Sequence, residues 1–157
     1  MKPLIYIIDK SRNYRHILSN CLMALGSSNV ETFDNPQAAL EKWANPDIII
    51  LDHETKEDHI SGLDFFREYG DSRLKSTRFL FLSSNSSMHI AVSAIRLGAY
   101  DYILKSKAGL ERLVAQVEKL VKIQVRNYRG KLILKFALYS LGIASVILGA
   151  AIYNYLG

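Results

Sequence analysis

The chain predicts an α/β fold: a parallel sheet covered by helices on both faces, followed by one C-terminal membrane-length helix. Three observations predict it. Short continuous apolar runs alternate with helical periodicity five times in the first 118 residues. Four of the runs end on a residue that carries chemistry: Asp9, Asp52, Ser83 and Lys105. Beyond Lys135 the charges stop, and Phe136 to Leu156 is uncharged throughout.

Leu4 to Ile8 is apolar without a break, as in a strand buried on both faces, and it ends at Asp9. Asn13 to Leu25 reads as a helix with Ile17, Cys21 and Leu25 on one face and Gly26 as its stop. Asn29 to Phe33 is a short strand. Asn35-Pro36 opens a helix that runs through Trp43, with proline in its first turn, and Asn45-Pro46 breaks it. Asp47 to Leu51 is a second buried strand, ending at Asp52. A polar loop, His53 to Ser61, leads to a helix from Gly62 to about Tyr69. Arg78 to Leu82 is a strand ending at Ser83-Ser84, and Ser86 or Ser87 caps the helix that follows, through Leu97. Gly98-Ala99 turns the chain into Tyr100 to Leu104, ending at Lys105. Ser106 then caps a long helix with Leu110, Leu113, Val114, Val117, Leu120 and Val121 on one face.

A chain of 157 residues has room for one ordinary domain with its own core. One cysteine, Cys21, excludes a disulfide framework within the chain and a multi-cysteine zinc site; it reads as a core residue. Trp43 and the Phe65–Phe66 pair read as core as well. The net charge of +5 is local. Up to Glu118 there are 14 Lys and Arg against 15 Asp and Glu, and the six later bases, from Lys119 to Lys135, face no acid.

Residues 136–156 as a helix would span about 31 Å, close to a bilayer's hydrocarbon core. With the bases before it, this predicts a single-pass tail and a cytoplasmic N-terminal domain. The alternative is a buried helix or a dimer seam. Ser140/Ala144 and Ser145/Gly149, small residues four apart with Gly142 nearby, allow the tail to pair with itself. Met1-Lys2-Pro3 runs straight into a strand, and no signal peptide is expected. The expected divisions are 1–125 for the domain, 126–135 for a basic juxtamembrane segment that meets anionic lipid, and 136–157 for the transmembrane helix.

In parallel sheets ligand chemistry collects at the carboxyl ends of the strands, where two acids, a hydroxyl and an ammonium meet here. Asp9, Asp52, Ser83 and Lys105, with Gly98-Ala99-Tyr100-Asp101-Tyr102 before the lysine, resemble the receiver (CheY-like) domain of two-component response regulators over residues 3–125. The resemblance implies a flavodoxin-like, doubly wound sheet in the order 2-1-3-4-5. It implies Asp52 as phosphoryl acceptor, Lys105 and Ser83 as ligands of the phosphoryl oxygens, and Tyr102 as the aromatic partner of Ser83 in a switch. It further implies Mg²⁺ held by Asp9, Asp52 and the backbone carbonyl of Glu54. The only enzymatic activity implied is self-phosphotransfer and self-dephosphorylation at Asp52.

The sequence departs from the family pattern in three places. Lys10 stands where a second metal-binding acid is usual, Lys56 replaces a proline in a loop that reaches Gly62 late, and Ser106 replaces the proline after the lysine. An ammonium in place of a ligand carboxylate should weaken Mg²⁺ binding, and Lys10 itself is placed to pair with Asp52 or to stand in solvent. Two functions follow. One is a membrane-anchored degenerate receiver, a scaffold or adaptor acting through protein contacts. The alternative is a switch phosphorylated at Asp52 by a histidine kinase. The expected partners are a histidine kinase or another membrane signalling protein, the bilayer, and a second copy through the tail. No nucleic acid is expected, since no output domain follows. A nucleotide-binding flavodoxin-like enzyme is less expected, because it needs a glycine-rich turn after the first strand and Ser11-Arg12-Asn13-Tyr14 has no glycine. A metal cluster of His53, His59, Glu54, Glu57 and Asp58 is less expected than a solvated loop.

Overall fold

The computed structural model describes residues 2–24, 26, 29–42, 44–54, 61–69 and 77–156, with side chains to residue 145. Five strands, β1 (Ile5–Ile8), β2 (Val30–Phe33), β3 (Ile48–Asp52), β4 (Arg78–Ser83) and β5 (Asp101–Leu104), alternate with five helices. These are α1 (Arg12–Ala24), α2 (Pro36–Glu41), α3 (Gly62–Tyr69), α4 (Met88–Arg96) and α5 (Lys107–Leu156). The sheet is wholly parallel, in the order β2-β1-β3-β4-β5.

Strand alternation splits the core into two layers. Tyr6, Ile8, Ile49, Leu51, Phe79 and Phe81 point to one face, with Phe65 and Phe66 of α3. Ring pairs hold this layer: Phe66 lies 4.5 Å from Phe79 and 5.5 Å from Phe81. Ile5, Ile7, Ile48, Ile50, Leu80 and Leu82 point to the other face, an aliphatic layer covered by Leu18 and Leu22 of α1 and by Leu113, Val117 and Leu120 of α5.

The local signals act as their chemistry requires. Asn35 caps α2 by accepting the Ala38 amide, with Pro36 in the first turn. Ser106 Oγ accepts from Gly109 N at the start of α5. Gly26 and Gly98 take positive φ, +79° and +100°, where the chain leaves α1 and α4.

Several expectations are corrected. The buried stripe of α1 is Leu18/Leu22; Ile17 is exposed and Cys21 is only half-buried. Ser87 sits at the α4 N-cap without a side-chain cap bond, and Asn85 Oδ1 accepts the Ser87 amide instead. Trp43, Leu25 and the loop residues Lys56, Glu57, Asp58 and His59 lie outside the described residues.

The end of the expected domain, the basic segment and the expected tail lie along one helix, since α5 runs from Lys107 to Leu156 without interruption. Among the described residues no helix is long and apolar enough to cross a membrane. Uncharged residues 136–145 would span about 15 Å, half a hydrocarbon core. The remainder of the expected span, from 146, lies beyond the described side chains. Within the described part, Leu132, Ile133, Leu134, Phe136, Leu138, Leu141 and Ile143 are all exposed.

Candidate functional site: a buried carboxylate pair bridged by Lys105

At the carboxyl rim Asp9 follows β1, Asp52 ends β3, Ser83 ends β4 and Lys105 follows β5. Asp9, Asp52 and Ser83 are fully buried. Lys105 Nζ lies 2.8 Å from Asp9 Oδ2 and 2.9 Å from Asp52 Oδ2. Each carboxylate turns its other oxygen to the backbone two residues on: Asp9 Oδ1 accepts from Ser11 N at 2.8 Å, and Asp52 Oδ1 from Glu54 N at 3.1 Å. Both acids are thereby held at fixed angles, with one oxygen each facing the ammonium.

Parallel pairing aligns these groups. Asp9 N donates to Phe33 O, His53 N to Leu82 O and Lys105 N to Ser83 O. Two glycines allow close approach. A Cβ on Gly62 would stand 2.8 Å from the Asp52 carbonyl, and one on Gly109 would collide with the Leu104 carbonyl.

Burial presses the Lys105 pKa down, but the hydrogen bonds and charges of Asp9 and Asp52 outweigh it and hold the group above its ordinary value. Lys105 therefore stays charged at neutral pH. The triad has one positive and two negative charges, so a net negative charge remains in a buried place. Of the two places expected for Lys10, the structure shows it exposed and without an ion pair among the described residues, and it is Lys105 that pairs with Asp52.

The donor set fits Mg²⁺ in part. Asp9 Oδ2 and Asp52 Oδ2 are buried and, among the described residues, have no partner beyond the Lys105 ammonium. They are hard oxygens, which with the Glu54 carbonyl would hold the ion and leave its remaining positions to water; the ion would neutralise charge gathering at Asp52. Among the described residues no group of three or more His, Cys, Asp and Glu stands together.

The two expected switch residues meet through a third, Asn85. Ser83 Oγ donates to Asn85 O at 3.2 Å and accepts from Asn85 N at 2.9 Å, and Tyr102 OH donates to the same carbonyl at 3.0 Å. The sequence reading missed Asn85, which lies between the Ser83-Ser84 strand end and the expected cap at Ser86 or Ser87. Tyr14 was also missed: its ring centroid is 5.0 Å from Lys105 Nζ. Its place in the first turn after Asp9 was the available signal.

Residues 5–118 match the model of the response regulator receiver domain. The chain is 27% identical over 122 residues to the regulatory protein AtoC of Escherichia coli, a match covering 76% of this chain and 25% of that protein. It is 27% identical over 103 residues to the chemotaxis protein CheY1 of Helicobacter pylori, covering 64% of this chain and 83% of that protein. The chain thus spans about a quarter of AtoC and most of CheY1. In fold it is similar to a beryllofluoride-activated DrrB receiver domain, with a TM-score of 0.68 at 23% identity over 78% of this chain and 99% of the other. It is likewise similar to the chemotaxis regulator CheY4 of Vibrio cholerae, with a TM-score of 0.63 at 24% identity over 74% of this chain and 99% of the other. With its sheet order, its rim residues and the matched span in agreement, the chain belongs to the response regulator receiver domain family.

Proposed function

We propose that this receiver domain is a switch phosphorylated at Asp52, tethered at the cytoplasmic face of a membrane, and read out by protein–protein contact. One observation carries the switch: Asp52 is fully buried, and its free oxygen lies 2.9 Å from an ammonium that also holds Asp9. In the transfer, an Asp52 oxygen attacks the phosphorus of a kinase phosphohistidine. The O–P bond forms as the N–P bond breaks, and the imidazole leaves with its electron pair. Lys105 neutralises the transferred oxygens, and Ser83 turns from Asn85 to donate to one of them. Release of Asn85 would loosen Tyr102, whose hydroxyl shares that carbonyl.

The test is exposure of the full chain to a small acyl phosphate, with intact-mass detection. A gain of one phosphoryl group, abolished by Asp52→Asn, is expected. A wild-type chain that stays unmodified with and without Mg²⁺ refutes the switch and leaves the second reading, a scaffold. That reading draws on Lys10 in the place of an acid and on the two-carboxylate metal set.

The tether rests on 21 uncharged residues, 136–156, after a run of bases that meets no acid, and on the exposed apolar side chains of α5. Since α5 returns from the carboxyl rim and continues past the opposite edge of the sheet, a bilayer around the tail would leave the Asp52 pocket facing the cytosol. A histidine kinase or another membrane signalling protein fits this arrangement, as does self-association of the tail. Carbonate washing should leave the chain in the membrane pellet; release by carbonate or high salt refutes the tether.

A further inference from the structure

A buried hydroxyl without a partner stands beside the charged triad. Tyr14 lies in the first turn of α1, its amide donating to Ser11 Oγ at 3.3 Å. Its hydroxyl is closed to solvent and makes no hydrogen bond among the described residues. Its ring covers the Lys105 ammonium at 5.0 Å, within cation–π range. Burial pushes the phenol pKa up; Lys105 opposes this and Asp9 and Asp52 add to it. The group is thus a neutral donor at physiological pH, close to all three charges.

A buried donor left unmade is costly, and one kept at a site is explained by an acceptor that arrives there. A phosphoryl group on Asp52 brings three acceptor oxygens and added negative charge. Lys105 already serves two carboxylates, and the Ser83 hydroxyl is held by Asn85. With Lys10 in the place of the usual second acid, Asp9 and Asp52 are the carboxylates left to a metal. The geometry points to Tyr14 as an additional donor of the phosphoryl pocket, its hydroxyl donating to a phosphoryl oxygen on Asp52 while its ring holds the Lys105 ammonium. This rests on the reading of Asp52 as acceptor.

The test uses the full chain in detergent micelles with beryllofluoride as the stand-in for the phosphoryl group, titrated at fixed Mg²⁺ and followed by fluorine NMR. Wild type, Tyr14→Phe, Tyr14→Leu and Asp52→Asn are compared. Tyr14→Phe keeps the ring and removes only the hydroxyl, so binding should weaken by about tenfold or more, the worth of a hydrogen bond to a charged acceptor. Tyr14→Leu should weaken it further, and Asp52→Asn should abolish it. Equal affinity of wild type and Tyr14→Phe overturns the role of Tyr14 alone. Absence of binding to wild type overturns the acceptor reading and this one with it.

Discussion

Lys105→Met removes the single cation from two fully buried carboxylates and keeps most of the side chain's apolar volume. Asp9 and Asp52 would face each other with one oxygen apiece lacking a partner among the described residues, where Lys105 Nζ alone reaches those oxygens, at 2.8 and 2.9 Å. Breaking a buried ion pair by deleting one member costs about 3–5 kcal/mol, because the stranded charge has neither water nor a counterion. A second stranded carboxylate places the expected cost at the upper end. At 1.36 kcal/mol per tenfold, that is about two to four orders of magnitude in the unfolding equilibrium.

Hydrogen exchange reads this loss on the core strands without interference from the exposed part of α5. Amides of Ile7, Ile50 and Ile103 sit in buried strands and should open only with the whole domain. Their protection should fall by about two to four orders of magnitude near pH 7. The sign with pH is distinctive. In wild type the Lys105 pKa is raised, so its contribution is complete below the unfolded value of 10.5 and disappears as pH rises through the folded value. The variant lacks this alkaline loss. Protection within threefold of wild type at neutral pH would show that Lys105 does not balance the pair, and the electrostatic account of the site would fall.

Lys10→Asp restores an acid beside Asp9 on an exposed position, so Mg²⁺ affinity should rise by about an order of magnitude or more with little change in stability; titration calorimetry showing equal affinities refutes the weakened-metal reading. Gly62→Ala puts a Cβ 2.8 Å from the Asp52 carbonyl, backbone that cannot yield alone, and should destabilise the domain by about 1–3 kcal/mol in urea unfolding. Tyr128→Phe cuts the 2.7 Å hydrogen bond from α5 to Asp47 Oδ1 and should cost about 1 kcal/mol. The bond to Asp47, burial and the Asp47 charge raise the Tyr128 pKa, so the wild-type advantage should be complete below pH 10 and vanish above it; a difference that persists at alkaline pH refutes the assignment.

The strands were legible because a parallel sheet demands runs apolar on both faces, and Ile5–Ile8 and Ile48–Leu51 are fully buried. The rim residues followed, since strand ends are where such a sheet places polar groups. Less was legible in the helices. Ile17/Cys21 and Leu18/Leu22 are adjacent ladders about 100° apart on α1, and periodicity alone does not say which one the sheet will cover. Lys10 was ambiguous for a similar reason: one residue past the strand, alternation sends Asp9 inward and Lys10 out. Tyr14 and Asn85 were missed because their roles depend on what stands across the rim, which neighbours in the chain do not reveal.

The exposed surface of α5 bears on what surrounds it. In a two-stranded seam apolar residues occupy one stripe, and the opposite face stays polar. Leu132, Ile133 and Leu134 are consecutive, about 100° apart, so together they span about 200° of the helix, with Lys131 and Lys135 on the remaining side, and each is more than half exposed. Phe136, Leu138, Leu141 and Ile143 continue the pattern beyond the last base, Lys135. A partner helix would cover one side and leave the others in water, whereas the hydrocarbon of the proposed tether would cover all of them. The clasp of Tyr128 to Asp47 stands just before this surface begins. It ties the helix to the amino edge of β3, the same strand whose carboxyl end is Asp52. Under the proposed tether, β3 and α5 form a continuous packed route between the phosphoryl pocket and the membrane, with Tyr128 as its last polar contact to the domain among the described residues.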